Sequence, residues 1–228
     1  MAFFFTKTVR YIIFAIVLYS ATQYFLRWKS YTFSPKEFRR LSGAAHGANG
    51  LSNVNKLRSD LRRSYQQHII DSGWEAAYGG GLSLRLNFLH ASPTEFIVVF
   101  HAPHRTAGFS GWHWANITCT VLNGEVNRLA FSANGGNKET FKIGSNFRHG
   151  EFERYTYELA EESFVVCYGR GATPLSSVWL ATGALASADP ISFARLTLAY
   201  MQGCFHEMGM AVTNTFHYYK AKALKTEL

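Results

Sequence analysis

Leu82-Ser83-Leu84-Arg85-Leu86-Asn87-Phe88 alternates apolar and polar side chains without a break. Successive side chains of an extended chain point to opposite sides, so this two-residue period predicts a strand with one buried face. Working outward, Phe96 to Phe100, Trp114 to Leu122, Val126 to Phe131, Phe152 to Tyr157 and Phe164 to Tyr168 are further apolar and aromatic runs, parted by Gly, Pro or Asn-rich turns. Short strands at such intervals predict a sandwich or a small barrel, and the barrel is preferred. Gly79-Gly80-Gly81 reads as the turn feeding the first strand, because no Lys-Ser/Thr and helix follow to make a phosphate loop.

Helical periods flank the strands. Ser34-Pro35-Lys36-Glu37 has the form of a capping box with proline at the first helical position. Val54, Leu57, Leu61, Tyr65 and Ile69 recur at three and four, with Arg58, Arg62 and Arg63 opposite, which predicts a second amphipathic helix with a solvated or headgroup-facing basic side. From Leu175 the repeat lengthens again. Asp189-Pro190 opens a final helix carrying Phe193, Leu196, Tyr200, Phe205, Met208 and Val212, and Lys220, Lys222 and Lys225 suit both its dipole and anionic headgroups.

Sixteen uncharged residues, Tyr11 to Leu26, lie between Arg10 and Arg27, with Tyr11, Tyr19, Tyr24 and Trp28 at interfacial positions. They span roughly 24 Å, which suffices for a membrane anchor if the two arginines snorkel. A cleaved signal peptide shares the basic start and the apolar stretch, but the aromatic belt and the lack of an A-x-A site favour the anchor. Arg27, Lys29, Lys36, Arg39 and Arg40 outnumber Lys7 and Arg10, which holds the main domain on the cytosolic or matrix side. Lys225-Thr226-Glu227-Leu228 is one substitution from a lumenal retrieval signal and points the other way, so the orientation stays open. The expected organisation is an anchor over 1–30, connecting helices over 31–73, a β-barrel over 74–172 and capping helices over 173–228: an α+β chain.

The 228 residues, 47% of them hydrophobic, provide one well-buried domain with an appendage. A net charge of +8 suits an anionic partner, yet the basic residues are scattered and no nucleic-acid-binding pattern occurs, so no nucleic acid is expected and a membrane is the better partner. Three cysteines without a CxxC exclude a disulfide-rich scaffold and a zinc ribbon. His101 and His104 flank Pro103 with no acidic or thiol ligand nearby, so neither a metal nor a cofactor is expected. Asn116-Ile117-Thr118 is a glycosylation sequon set mid-strand.

Several stretches resemble the sigma-1 receptor and fungal sterol C8-C7 isomerase family, in order and nearly without gaps. They are Trp74 to Ser92, ending Phe88-Leu89-His90-Ala91-Ser92; Glu95 and Phe100; Gly108-Phe109-Ser110-Gly111 with Trp114-Ala115; and His149-Gly150 through Tyr168-Gly169-Arg170-Gly171 to Pro174. The resemblance implies a membrane-anchored, cupin-like β-barrel around a closed hydrophobic cavity, capped by C-terminal membrane-facing helices, assembled as a homotrimer and using no metal. In that family an aspartate follows the SG-x-x-W stretch and a glutamate precedes YGRG, and the two pair with a ligand's ammonium or handle protons. The matched positions here are Cys119 and Cys167, and a tyrosine that bonds the glutamate is matched by Phe96. One polar network has become apolar as a whole, as the cost of a lone buried acid demands.

Neutral thiols, ordinarily titrating near 8.5 and higher when buried, are poor acids for alkene protonation and offer a cationic amine no partner. Glu151, Glu153 and Glu158 are the remaining candidates to rescue the chemistry, although Glu151 and Glu153 alternate with Phe152 and read as outward-facing. Cys119 and Cys167 either form a disulfide or lie buried as small hydrophobes, the commoner fate and the preferred reading. Cys204 reads as packing and His149 as structural. The pattern favours a non-catalytic family member: a lipid-holding or architectural subunit of a membrane complex in the endoplasmic reticulum or mitochondrial inner membrane. Its expected partners are membrane lipids or sterol, other membrane-protein subunits and further copies of itself. The alternatives are an isomerase with rearranged catalytic groups and a receptor for cationic amphiphiles.

Overall fold

A computed structural model describes residues 2–130 and 136–226, with side chains described over 7–130 and 136–220. The chain divides into two compact units, 1–32 and 33–228. In the first, α1 (Ala2–Trp28) is a single apolar helix. Its segment Lys7–Trp28 is, among the described residues, the one helix long and apolar enough to cross a membrane. Tyr11 through Leu18 expose their large apolar side chains. The Tyr31 hydroxyl donates to the Leu26 carbonyl at 2.7 Å and closes the last turn.

In the second unit, α2 (Pro35–Ala44) starts where proline places it, but the capping box does not form. Ser34 makes no side-chain cap, and Glu37 takes Arg40 Nε at 3.0 Å instead, a charge-assisted bond that outcompetes a neutral amide. α3 (Gly50–Ser64) begins earlier than the apolar period suggests, because Asn49 Oδ1 caps Ser52 N at 3.1 Å. It ends before Ile69, with a 3-10 turn at Gln66–His68. Arg58 departs from the solvated basic face: it is half-buried and paired with Asp71 at 2.7 Å.

β1 (Glu75–Gly79) and β2 (Leu82–Ala91) form a hairpin turned by Gly80-Gly81, whose φ values of +57° and +94° suit residues without a Cβ. There follow β3 (Glu95–Ala102), β4 (Thr106–Phe109), β5 (Ala115–Asn123), β6 (Val126–Ala130), β7 (Lys138–Phe141), β8 (Asn146–His149), β9 (Tyr155–Leu159) and β10 (Ser163–Gly171). Phe131, expected at the end of β6, lies outside the described residues. Phe152 does not begin a strand: its φ is +60°, and Glu153 accepts from Gly150 N, so this stretch is a turn. The strands form two antiparallel sheets, ordered β1-β2-β3-β10-β5-β8 and β4-β9-β6-β7.

Alternation assigns each strand face to one of two cores. Leu84, Leu86, Phe88, Val98, Val121 and Val165 point between the sheets with Val126 and Leu159 of the smaller one. On the outer face of the larger sheet, Ile97, Val99, Leu122, Val166 and Tyr168 pack against Phe38, Leu41, Val54, Leu57 and Leu61 of α2 and α3. A Thr120–Ser42 hydroxyl pair at 2.7 Å satisfies the polar groups buried there.

α4 (Ser177–Ala186) and α5 (Pro190–Thr226) complete the unit. Asp189 Oδ1 caps α5 through Ser192 N at 3.0 Å. The Tyr200 hydroxyl donates to Ser92 O at 2.9 Å, and the Glu207 carboxylate takes His68 Nδ1 at 3.0 Å, so α5 is fastened to the sheet and to the 3-10 turn. Its residues 211–220 are exposed all round. The side chains of Lys222 and Lys225, and Glu227 and Leu228 of the terminal tetrapeptide, lie outside the described residues.

Candidate functional site

A cavity of about 340 Å³ lies between the sheets, with Leu84, Phe96, Val98, Ile117 and Val165 on the larger sheet and Val126, Tyr157 and Leu159 on the smaller. Trp179 and Leu180 of α4 and Phe193, Leu196 and Tyr200 of α5 also line it. Trp179 is oriented by its indole N–H, which donates to Phe109 O at 3.0 Å.

Phe96, Cys119 and Cys167 all stand on this wall. β10 lies between β3 and β5, and the register sets Cys167 opposite both Val98 and Cys119. The two cysteines, with Cα atoms 4.1 Å apart, are joined as a disulfide. The preferred reading of two separate thiols therefore gives way, because their strands are direct neighbours in matching register. Cys204 remains a buried free thiol.

The sequence stretches that carry the resemblance meet at this wall. Gly169 pairs with Phe96, and a Cβ at Gly169 would lie 2.2 Å from the Phe96 ring. Immediately behind, the Tyr168 hydroxyl donates toward Glu95 Oε1 at 2.8 Å, and the same oxygen accepts Phe33 N at 3.2 Å. Glu95 N in turn donates to Ser92 Oγ at 2.9 Å. LHAS-x-x-E and YGRG thus form one buried network that fixes the strand bearing Cys167.

No Asp, Glu, Lys or Arg lines the cavity among the described residues. Glu151 accepts from Asn116 Nδ2 at 2.9 Å, Glu153 bonds the Tyr155 hydroxyl at 3.0 Å, and Glu158 pairs with Arg105. None of the three reaches the cavity. Its titratable members are His113, His149, Tyr157 and Tyr200. His149 Nε2 donates to Glu153 O at 3.0 Å, which leaves Nδ1 to accept the Tyr157 hydroxyl at 3.2 Å. Burial pushes this imidazole down to about 4, and the neighbouring His113 acts in the same direction. His113 Nε2 donates to Ser110 O at 2.8 Å; burial lowers its pKa also, and it holds the neutral form. Burial raises the Tyr157 and Tyr200 phenols. The wall is therefore uncharged at neutral pH and supplies no strong acid.

His113 escapes the sequence reading because one histidine between two tryptophans carries no recognisable pattern. His101 stacks on Phe164 with ring centroids 4.2 Å apart and meets Glu162 at 3.3 Å, away from the cavity, while His104 is exposed. Asn116 is half-buried in β5, with its amide engaged by Glu151 and Arg148.

Fold and site define an α+β protein whose two facing β-sheets enclose an apolar, uncharged cavity. Residues 9–211 match the model of the ERG2 and Sigma1 receptor like protein family, and the chain belongs to that family. It is 26% identical over 217 residues to "Sigma non-opioid intracellular receptor 1" of Danio rerio, covering 92% of this chain and 97% of that one. It is 27% identical over 150 residues to "C-8 sterol isomerase ERG2" of Gibberella zeae, covering 63% and 62%. Among solved structures, an RmlC-like cupin from Shewanella frigidimarina aligns over 44% of this chain and 84% of its own at 16% identity, with a TM-score of 0.37, too partial a likeness to build on.

Proposed function

We propose that this protein is a non-catalytic member of its family that holds an uncharged apolar molecule, a membrane lipid or sterol, inside the barrel. It serves as an architectural subunit at an intracellular membrane, either the endoplasmic reticulum or the mitochondrial inner membrane. One observation carries the reading: a disulfide, at the positions where the resemblance implies two acids, stands on a wall with no charged side chain among the described residues. An apolar cavity without a counter-ion favours neutral ligands, since a desolvated ammonium placed there would lack a partner.

Two features support the membrane part. α1 is apolar and exposes its large side chains from Tyr11 to Tyr19. On α5, Ile191, Leu198, Phe205 and Val212 recur every seven residues, and Met201 and Met208 lie between them, giving one exposed apolar stripe. The proposed partners are lipids of that membrane, other membrane-protein subunits and two further copies of the chain as a homotrimer.

The decisive experiment isolates the native protein from its membrane in mild detergent and identifies bound lipids and co-purifying subunits by mass spectrometry. A neutral lipid or sterol and partner subunits at fixed stoichiometry are expected. Sterol turnover in an isomerase-deficient yeast would replace this reading with that of an isomerase working through His113, His149 and Tyr157, the polar groups the cavity retains. Saturable binding of a hydrophobic amine would replace it with that of a receptor.

A further inference from the structure

The disulfide carries information about where the barrel is built, independently of what the cavity holds. Cys119 and Cys167 are each 4% exposed and face the cavity, while α2 and α3 cover the opposite side of the same sheet. Once the barrel has closed, an oxidant or reductant reaches the sulfur atoms only through an apolar interior. The bond must therefore be made while the chain folds, between residues separated by 48 positions that meet only when β5 and β10 pair. In a glutathione-reduced compartment thiols meeting at that stage stay reduced, then become buried as thiols.

We propose that the barrel unit folds and resides in an oxidising compartment, on the side of its membrane opposite to that given by the basic residues following α1. The step is balanced by thiol–disulfide exchange: the two thiols lose two protons and two electrons as the S–S bond forms, and a disulfide of a thiol oxidoreductase is reduced to its dithiol. The basic flank does not contradict this. A domain-sized segment, 33–228, follows α1, and long loops and domains translocate largely regardless of charge.

Cells are quenched in acid, the protein is denatured, and free thiols are tagged with a mass-adding maleimide with or without prior reduction. One tag is expected without reduction, on Cys204, and three after it; Cys204→Ala should give none and two. In parallel, sealed vesicles exposing their cytosolic or matrix face are treated with protease, and an antibody against the barrel should detect an intact domain until detergent is added. Three tags in the unreduced sample, or digestion of the barrel in intact vesicles, would overturn the proposal. A catalytic turnover result in yeast would leave both readouts unchanged, so this inference and the functional reading fail separately.

Discussion

At the scale of single residues, His149 sets a pH dependence whose sign follows from its burial. Its pKa falls from an ordinary 6.5 to about 4 on folding, mainly through burial, so the unfolded chain binds a proton that the folded one refuses. The stability this neutral imidazole contributes is complete above pH 6.5 and is lost as pH falls from there toward 4. The limit is about 3 kcal/mol for a shift of this size. His90 and His113, also lowered by burial, act in the same direction. Urea midpoints taken from pH 7.5 down to 4.5 should fall steadily, and His149→Gln should flatten the profile; an unchanged slope in that variant would remove His149 as the cause. The cystine acts on the unfolded state instead. It closes a 48-residue separation, so Cys119→Ala with Cys167→Ala should cost about 3–4 kcal/mol in chemical denaturation, and a loss below 1 kcal/mol would mean that the packed strands already confine the chain.

At the scale of elements, α5 has two functions along its length. Its first half lines the cavity through Phe193, Leu196 and Tyr200 and is pinned by Glu207 to His68, whereas its second half is exposed on every side over 211–220. If the stripe through Leu198, Phe205 and Val212 meets a bilayer, a nitroxide on Phe205→Cys, with Cys204→Ala, should be relaxed more by oxygen dissolved in lipid than by an aqueous nickel complex. The reverse order would place the stripe in water or against protein. The same elements show what a sequence discloses. β2 was legible because one of its faces is polar, and β10 because both its faces are apolar, Val165 and Cys167 toward the cavity, Val166 and Tyr168 toward α2 and α3. β1, β4, β7 and β8 were not: Lys138–Phe141 and Asn146–His149 are half-exposed four-residue pieces held by backbone pairing, which leaves little trace in side-chain pattern. The positions of Phe96, Cys119 and Cys167 came from the resemblance and from alternation. The bond between the cysteines needed the neighbour order of β5 and β10, which no local pattern encodes.

At the scale of the whole molecule, the question is whether the uncharged wall alone decides what the cavity holds. The shell around the wall is held by groups outside it: Glu95 takes Tyr168, Gly169 makes room for Phe96, and α4 and α5 line the end. The positions where the resemblance implies two acids and a tyrosine are here one cross-strand pair, Cys119 and Cys167, and the nearby Phe96 ring. The variant Phe96→Tyr with Cys119→Asp and Cys167→Glu should therefore acquire an anionic centre without rebuilding the fold. Two carboxyls on directly paired strands cannot both ionise cheaply, so they should share a proton and carry about one negative charge, enough to hold one ammonium. Burying that charge destabilises the empty barrel by roughly several kcal/mol, and a bound amine recovers part of it. The expected outcome is a variant with a lower melting temperature that a hydrophobic amine raises again, beside a parent chain that the amine leaves unmoved. If the parent responds equally, the amine is held by something other than charge on this wall, and the cystine does not decide which ligands the cavity takes.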